Sequence, residues 1–485
     1  MHSAKSGSAD SLSEVTVGPE DTPASAQGGL SETRVAVIVG AFAGAIRALW
    51  VILAARAPVG LSDPSLYLAA AASIAGGKGY TSFLGRPTAY YPPGYPLFLA
   101  GIQKGAELLG QQSRLVWFVV LAQAVLGGIA AAALVIAGCR IRQSIQLGVL
   151  AGMIFALWPN LIIHSGLVLS ESLYLCCFCI FLAALFTWML KLQSQQHGHS
   201  GAVLVLVLAT AACTLVRPQS VAVMLPAAAL AWFISGLGWR FALRGSGLLL
   251  AGMLIAILPW TLRNTVVMNA FVPISTNTGD NLCMGFHSGA TGGFSFSPEC
   301  ATEGDYIDGP KVEVERDADL RTRAMSWIAA HPGEIPELSY KKLRITLRQD
   351  ADAVFAWESY GADAHLSQGQ RSLLNRICNV YYWLVGLLGL AGSVVVLRDC
   401  WADRNSHERS VQAGIGLVAL SFSIFGALLP VLFFGDERFK IPILPCVALL
   451  AALAIHSFFR RNPDGSATGT QPDVASETAE QEARQ

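Results

Sequence analysis

The sequence predicts an all-α polytopic membrane protein with about ten transmembrane helices, outer-face juxtamembrane helices and a small, mostly helical extramembrane domain. Three observations carry that expectation. Charged residues make up only 14% of the 485-residue chain, against roughly 25% in soluble domains. Mean hydropathy is +0.49. Apolar stretches of the length a bilayer demands, about 20 residues, recur along most of the chain. The net charge of zero gives no electrostatic footprint for nucleic acid.

Residues 1–34 are polar and rich in Ser, Gly and Ala, a composition that does not bury a core, and are expected to form a disordered tail. No cleavable signal pattern opens the chain, so the first apolar segment is expected to act as an uncleaved anchor. The expected spans are 35–57, 116–137, 146–164, 169–190, 201–217, 219–236, 246–262, 380–397, 411–433 and 441–459. Proline marks several ends, as at Trp158-Pro159 and Pro259-Trp260. The chain thus divides into helices one to seven over 35–262, with an outer loop at 58–115, then an outer domain at 263–379, then helices eight to ten over 380–459. The polar tail 460–485 is expected to be disordered as well.

Orientation follows from Lys and Arg in the short loops. With both termini in the cytoplasm, the cytoplasmic loops hold Arg140 and Arg142, Lys191, Arg240 and Arg244, then Arg398, Arg404 and Arg409, and finally Arg460 and Arg461. The segment 263–379 is too long for a connector. Within it, 313–330 is amphipathic and stops at His331-Pro332, and a second helix is expected from Pro336 to Arg348. Cys283 and Cys300 share this polar segment and would pair if it faces an oxidising compartment. Cys176, Cys177 and Cys179 lie in an apolar run and read as packing residues.

The stretch Ser62–Tyr95 follows the first span and meets the membrane surface. Asp63 stands there in nearly uncharged surroundings, and Pro64 follows it. An acid before a first-turn proline reads as a helix N-cap; the same carboxylate can also serve as a general base. Glu171 lies at the outer end of the fourth span, either as a first-turn acid favoured by the helix dipole or as a second functional acid. His164, nearby, reads as an interfacial polar residue, and Arg47 as a group that reaches a cavity or pairs inside the bundle. Arg217, Arg263, Asn264, Glu437 and Arg438 fall on the same outer side. Singly, each reads as an interfacial anchor or a local salt bridge. Collected on one face, two acids and three arginines suit an anionic head group whose tail stays in lipid, since arginine contacts phosphate bidentately. Tyr80, Tyr90, Tyr91 and Tyr95 read as sugar-pocket lining or as an interfacial aromatic belt, and Tyr67, Asn264 and Glu437 are expected to join Tyr91 and Tyr95 in the substrate pocket. No HExxH, paired CxxC, P-loop or GxSxG pattern occurs, and no metal ligands are assigned.

These residues resemble a family. SDPSLY at Ser62–Tyr67, GGKGY at Gly76–Tyr80, PTAYYPPGYPLFLA at Pro87–Ala100, SESLYL at Ser170–Leu175, Arg217-Pro218, PWTLRN at Pro259–Asn264 and ERFKIPILP at Glu437–Pro445 carry the resemblance. Their order is similar to that of the C-type integral-membrane glycosyltransferases, in the branch with bacterial protein O-mannosyltransferases and the lipid A aminoarabinose transferase. The resemblance implies a multi-pass protein of the bacterial inner membrane with a periplasmic site and a polyprenyl-phosphate sugar as donor. It implies Asp63 as the catalytic acid/base and Glu171 as the second acid. One departure matters. The aminoarabinose branch carries a lysine just before its paired prolines, where it meets the donor phosphate; here that place is Tyr91. Lys78 or an arginine is then needed for the phosphate.

The expected reaction follows. Arg217, Arg263 and Arg438 hold the donor phosphate. Asp63 deprotonates an acceptor hydroxyl that attacks the anomeric carbon, inverting it, and Glu171 orients the acceptor or the sugar. The acceptor class stays open among lipid, glycan and protein. No cofactor is expected, and divalent-metal dependence stays open. The alternative is a transporter or flippase of a lipid-linked saccharide. Transporters place charges near the midplane, often within an inverted repeat, whereas these charges gather at one face.

Overall fold

The computed structural model describes residues 31–193, 200–295, 297–301, 308–361, 365–402 and 407–460, with the side chains at 193, 219–223 and 407–410 left aside. The tails expected at 1–34 and 460–485, and Arg404, Arg409 and Arg461 with them, lie almost wholly outside these residues or side chains.

The protein is all-helical. Among the described residues seven helices are long and apolar enough to cross a membrane: Glu32–Ala54, Gln112–Arg142, Glu171–Leu192, Trp239–Met268, Gln368–Ala402, Val411–Leu432 and Glu437–Arg460. Three shorter apolar helices, Ile145–Ala156, Ser200–Val216 and Met224–Ile234, fall where the remaining expected spans lie. In chain order the α-helices are α1 (Glu32–Ala54), α2 (Asp63–Ala75), α3 (Gly94–Leu108), α4 (Leu115–Arg142), α5 (Ile145–Ala156), α6 (Pro159–His164), α7 (Glu171–Gln193), α8 (Ser200–Val216) and α9 (Pro218–Ile234). They continue with α10 (Trp239–Met268), α11 (Thr278–Gly285), α12 (Pro310–Ala330), α13 (Ile335–Leu347), α14 (Asp352–Ser359), α15 (Gln368–Ala402), α16 (His407–Leu428) and α17 (Leu444–Arg460).

Three spans differ from expectation. The span 146–164 is two helices, α5 and α6, broken at Trp158 because Pro159 supplies no backbone N–H to continue the ladder. The span 246–262 is longer, since α10 runs through Pro259 and stops only at Asn269, whose φ of 51° is left-handed. Packed membrane helices tolerate such prolines. The span 380–397 is the middle of α15, whose 35 residues extend about 52 Å, well beyond a hydrocarbon core of about 30 Å.

α4, α7 and α17 lie innermost, while α10 and α15 expose most of their apolar surface. α1 crosses α4 on small residues: a Cβ on Gly128 would lie 2.7 Å from the Gly40 carbonyl oxygen, a close approach that membrane helices use where no hydrophobic force separates helix from lipid. α2, α3, α6 and α14 form a second layer at one end. Its core joins Tyr67, Tyr95, Leu99, Ile163, Leu169, Val354 and Trp357. The expected helices at 313–330 and 336–348 are present as α12 and α13.

Candidate active site

α2 begins at Asp63, not after it. Ser62 occupies the N-cap position in extended conformation and makes no side-chain cap bond. The Asp63 carboxylate is therefore not a cap. Its Oδ1 accepts from the Tyr91 hydroxyl at 2.8 Å and its Oδ2 faces Arg438 Nη1 at 3.2 Å. One-third of the Asp63 side chain is exposed, 33%. Two prolines before Gly94 start α3 and bring Tyr91 back across 28 residues to Asp63.

Arg438 is the bridge. It sits on the 3₁₀ helix Glu437–Ile443, where the Asp436 carboxylate accepts its backbone N–H at 2.8 Å. Its Nε and Nη2 both lie 2.9 Å from Glu171 Oε1. Arg217 Nη2 reaches the same oxygen at 2.6 Å and donates to Ser170 Oγ at 3.3 Å. Glu171, in the first turn of α7, is fully buried, and its Oε2 has no hydrogen-bond partner among the described residues. So Asp63, Glu171, Arg217, Arg438 and Tyr91 meet in one group, with Asp63 as its exposed carboxylate and Glu171 as its buried one.

Tyr67 packs against Tyr91 and Tyr95 with ring centroids 4.7 and 5.1 Å apart. Tyr95 donates to Gln123 Oε1 at 2.8 Å. Burial pushes the phenols of Tyr67, Tyr91 and Tyr95 up, and the Asp63 charge adds to this at Tyr67 and Tyr91. They therefore remain protonated donors at neutral pH.

Other expected residues stand apart. Arg263 donates to the carbonyls of Thr88 and Tyr80 at 2.7 and 2.8 Å and stacks over Trp260 at 4.8 Å. Asn264 is buried and donates to the carbonyls of Val272 and Ile274. Glu437 accepts from the Gln349 side chain and the Ala351 N–H. Lys78 is exposed on the turn after α2. Arg47 is buried and donates to the carbonyls of Ala43, Phe155 and Ala156, the last two closing α5.

Two features escaped the sequence reading. Tyr360, after α14, lies in the field of Arg438, Asp63, Glu171 and Asp436; burial pushes its phenol up to about 12, Arg438 opposes, and the three acids add. His164 is buried, its Nε2 lying 2.7 Å from Asp352 Oδ2. Asp352 also accepts from Asn160, and neighbouring Asp350 accepts from Trp158 and Asn160 and pairs with Lys440 at 3.2 Å. Burial alone would raise Asp352, but His164 and Lys440 hold it below the usual carboxylate range. This network anchors the start of the 3₁₀ helix that bears Arg438. Among the described residues no three His, Cys, Asp or Glu side chains converge as metal ligands would.

No protein-family model and no curated protein matches the chain. Among solved structures it is similar to the Archaeoglobus fulgidus oligosaccharyltransferase tethered to an acceptor peptide containing the NVT sequon, at 13% identity and a TM-score of 0.49, covering 89% of this chain and 50% of that one. The same enzyme in complex with Zn and sulfate gives 15% identity and a TM-score of 0.46, covering 88% and 49%. The chain spans about half the length of the solved structures it matches.

Proposed function

We propose that this protein is a membrane glycosyltransferase that moves a sugar from a polyprenyl-phosphate donor to a hydroxyl of a lipid, glycan or protein acceptor. The observation that carries the reading is the half-open carboxylate Asp63, held by Tyr91 and faced by Arg438 at the end of an apolar bundle. The motif resemblance supports it independently. The outer, periplasmic assignment of this face is supported by the disulfide joining Cys283 to Cys300, a bond that persists in oxidising compartments, and by the loop charges.

In this mechanism Asp63 takes the proton of the acceptor hydroxyl as that oxygen bonds to the anomeric carbon. The bond from that carbon to the phosphate oxygen breaks on the opposite face, so configuration inverts. The departing phosphate takes the bonding electrons, and Arg438 and Arg217 stabilise its charge. Lys78 lies past the far end of α2 from Asp63 and takes no part in holding the phosphate in this mechanism. Glu171 keeps both arginines in place rather than touching the sugar, because its side chain is fully buried. Arg263 and Asn264 shape the walls: Arg263 holds the 80–88 segment that leads to Tyr91, and Glu437 fixes the turn before Arg438. Tyr67 and Tyr95 pack the pocket floor.

The test is a purified Asp63→Asn variant given a radiolabelled polyprenyl-phosphate mannose and host envelope extract as acceptor. Turnover is expected to fall about 10²–10⁴-fold, the usual contribution of a general base, with retention of the labelled donor unchanged. Turnover at the wild-type rate would remove Asp63 from the mechanism.

A further inference from the structure

A hollow of about 750 Å³ lies beside the ion-pair group, within the roughly 300–1,000 Å³ typical of small-ligand sites. Four elements wall it: the 293–294 segment, the turn from α13 into α14 with α14 itself, the first turns of α15, and the 435–437 turn. The wall adjoins the site along the chain at two places. Glu437 directly precedes Arg438, and Ser359 and Gly361 flank Tyr360, which lies in the field of Asp63 and Arg438.

The lining has a definite chemistry. Its lining holds four carboxylates, Asp352, Glu358, Asp436 and Glu437, against one guanidinium, Arg371; Glu358 pairs with Arg371 and Asp352 with His164. Such a wall repels phosphate, so this hollow does not suit the donor head group. Asn375 and Asn379 add amides, and the Asn375 Oδ1 is buried without a hydrogen-bond partner among the described residues. The Phe355 ring on the wall is 73% exposed. An open aromatic ring next to carboxylates and amides is a surface for stacking a sugar ring while accepting its hydroxyl protons. The 368–379 segment of α15, which carries Arg371, Asn375 and Asn379, precedes the 380–397 stretch expected to cross the membrane.

We propose that this hollow is the acceptor subsite and that its ligand is a saccharide without anionic groups, preferentially one bearing an amine. The proposal rests on the transferase reading. It narrows the acceptor from lipid, glycan or protein to a glycan and places its reactive hydroxyl beside Tyr360 and Asp63. The saccharide ring stacks on Phe355, its hydroxyls donate to Asn375 and the carboxylates, and an ammonium group pairs with the acidic wall.

The experiment measures binding alone, by calorimetry on the full-length Asp63→Asn protein in detergent, so that no turnover intervenes. The probes are a glucosamine trimer, its neutral glucose counterpart and a galacturonic acid trimer. The glucosamine trimer is expected to bind most tightly, to weaken with added salt, and to lose about tenfold in affinity in Phe355→Ala. Asn375→Leu, a change on a different element, is expected to weaken it as well. Equal or tighter binding of the galacturonate trimer overturns the proposal, as does unchanged affinity in both variants or no saccharide binding up to about 10 mM. Donor turnover by the wild-type protein without any saccharide binding sinks this subsite alone; saccharide binding without donor turnover sinks the transferase reading and leaves the site standing.

Discussion

Both oxygens of Asp63 are engaged, yet neither is saturated, because a carboxylate offers about four acceptor positions. Tyr91 and Arg438 orient it, and in the proposed reaction a remaining position takes the acceptor hydroxyl. Tyr91→Phe removes the bond to Oδ1. It is expected to lower kcat by about tenfold, since a hydrogen bond to a charged group is worth about 1.5–3 kcal/mol before solvent screening, with little change in melting temperature. Single-turnover kinetics check this, and an unchanged kcat would leave Tyr91 a packing residue only. Arg438→Lys is harsher. A lysine cannot span two carboxylates as the guanidinium does, so Glu171 keeps only Arg217. Arg438→Lys is expected to lose about 10²-fold in turnover while remaining folded, and circular dichroism with the donor assay separates the two effects. At this scale much was legible: Asp63, Glu171, Arg217 and Arg438 stood out as charges in an apolar chain. Their pairing was not legible, because Arg438 lies 375 residues from Asp63. Nor was the detachment of Arg263, because a motif does not say which carbonyls a guanidinium will find. Tyr360 and the His164–Asp352 pair left no local signal at all.

At the scale of elements, helix type and approximate position followed from apolar length, and the failures came where tertiary packing supplied missing hydrogen bonds. α5 ends at a proline, and Arg47 from α1 donates to its last carbonyls, a cap from another helix. α10 passes a proline that looked like a terminus. The junction of α6, α14 and the Arg438-bearing 3₁₀ helix is polar throughout. Lys440 and Asp350 are both fully buried there, 3.2 Å apart, with Trp158 and Asn160 completing Asp350. Burial pushes the Asp350 carboxyl up, and Lys440 opposes it. Removing one partner strands the other. Lys440→Met is expected to cost about 3–5 kcal/mol, and Lys440→Met with Asp350→Leu to recover part of it. A double-mutant cycle in urea measures the coupling, and additive losses would show that the pair does not act as a unit. Because this junction carries the Arg438 turn, the single variant is also expected to lose turnover.

At the scale of the whole molecule, the helices outside the bundle must dock on it, and Lys342 marks where they do. It projects from α13, is fully buried, donates to the Val431 carbonyl at 3.3 Å, and lies 3.2 Å from the centre of the Phe286 ring. The backbones meet closely here: a Cβ on Gly285 would lie 1.7 Å from the Phe433 carbonyl oxygen, so only glycine fits. A buried ammonium with a carbonyl and a ring for company is poorly solvated, and burial lowers Lys342 from its ordinary 10.5 to about 7. Between those two values the unfolded chain holds a proton that the folded protein has released. Stability therefore rises with pH across that window, because unfolding there takes up a proton, and below pH 7 this contribution to the slope vanishes, since both states are protonated. The melting temperature of the detergent-solubilised protein is expected to climb from pH 7 toward 10.5 more steeply than that of Lys342→Met. The methionine keeps the chain length and packing but carries no proton to exchange. Parallel curves for the two proteins would mean that Lys342 stays charged in the fold and that the docking of α13 on the 431–435 segment does not depend on its neutralisation.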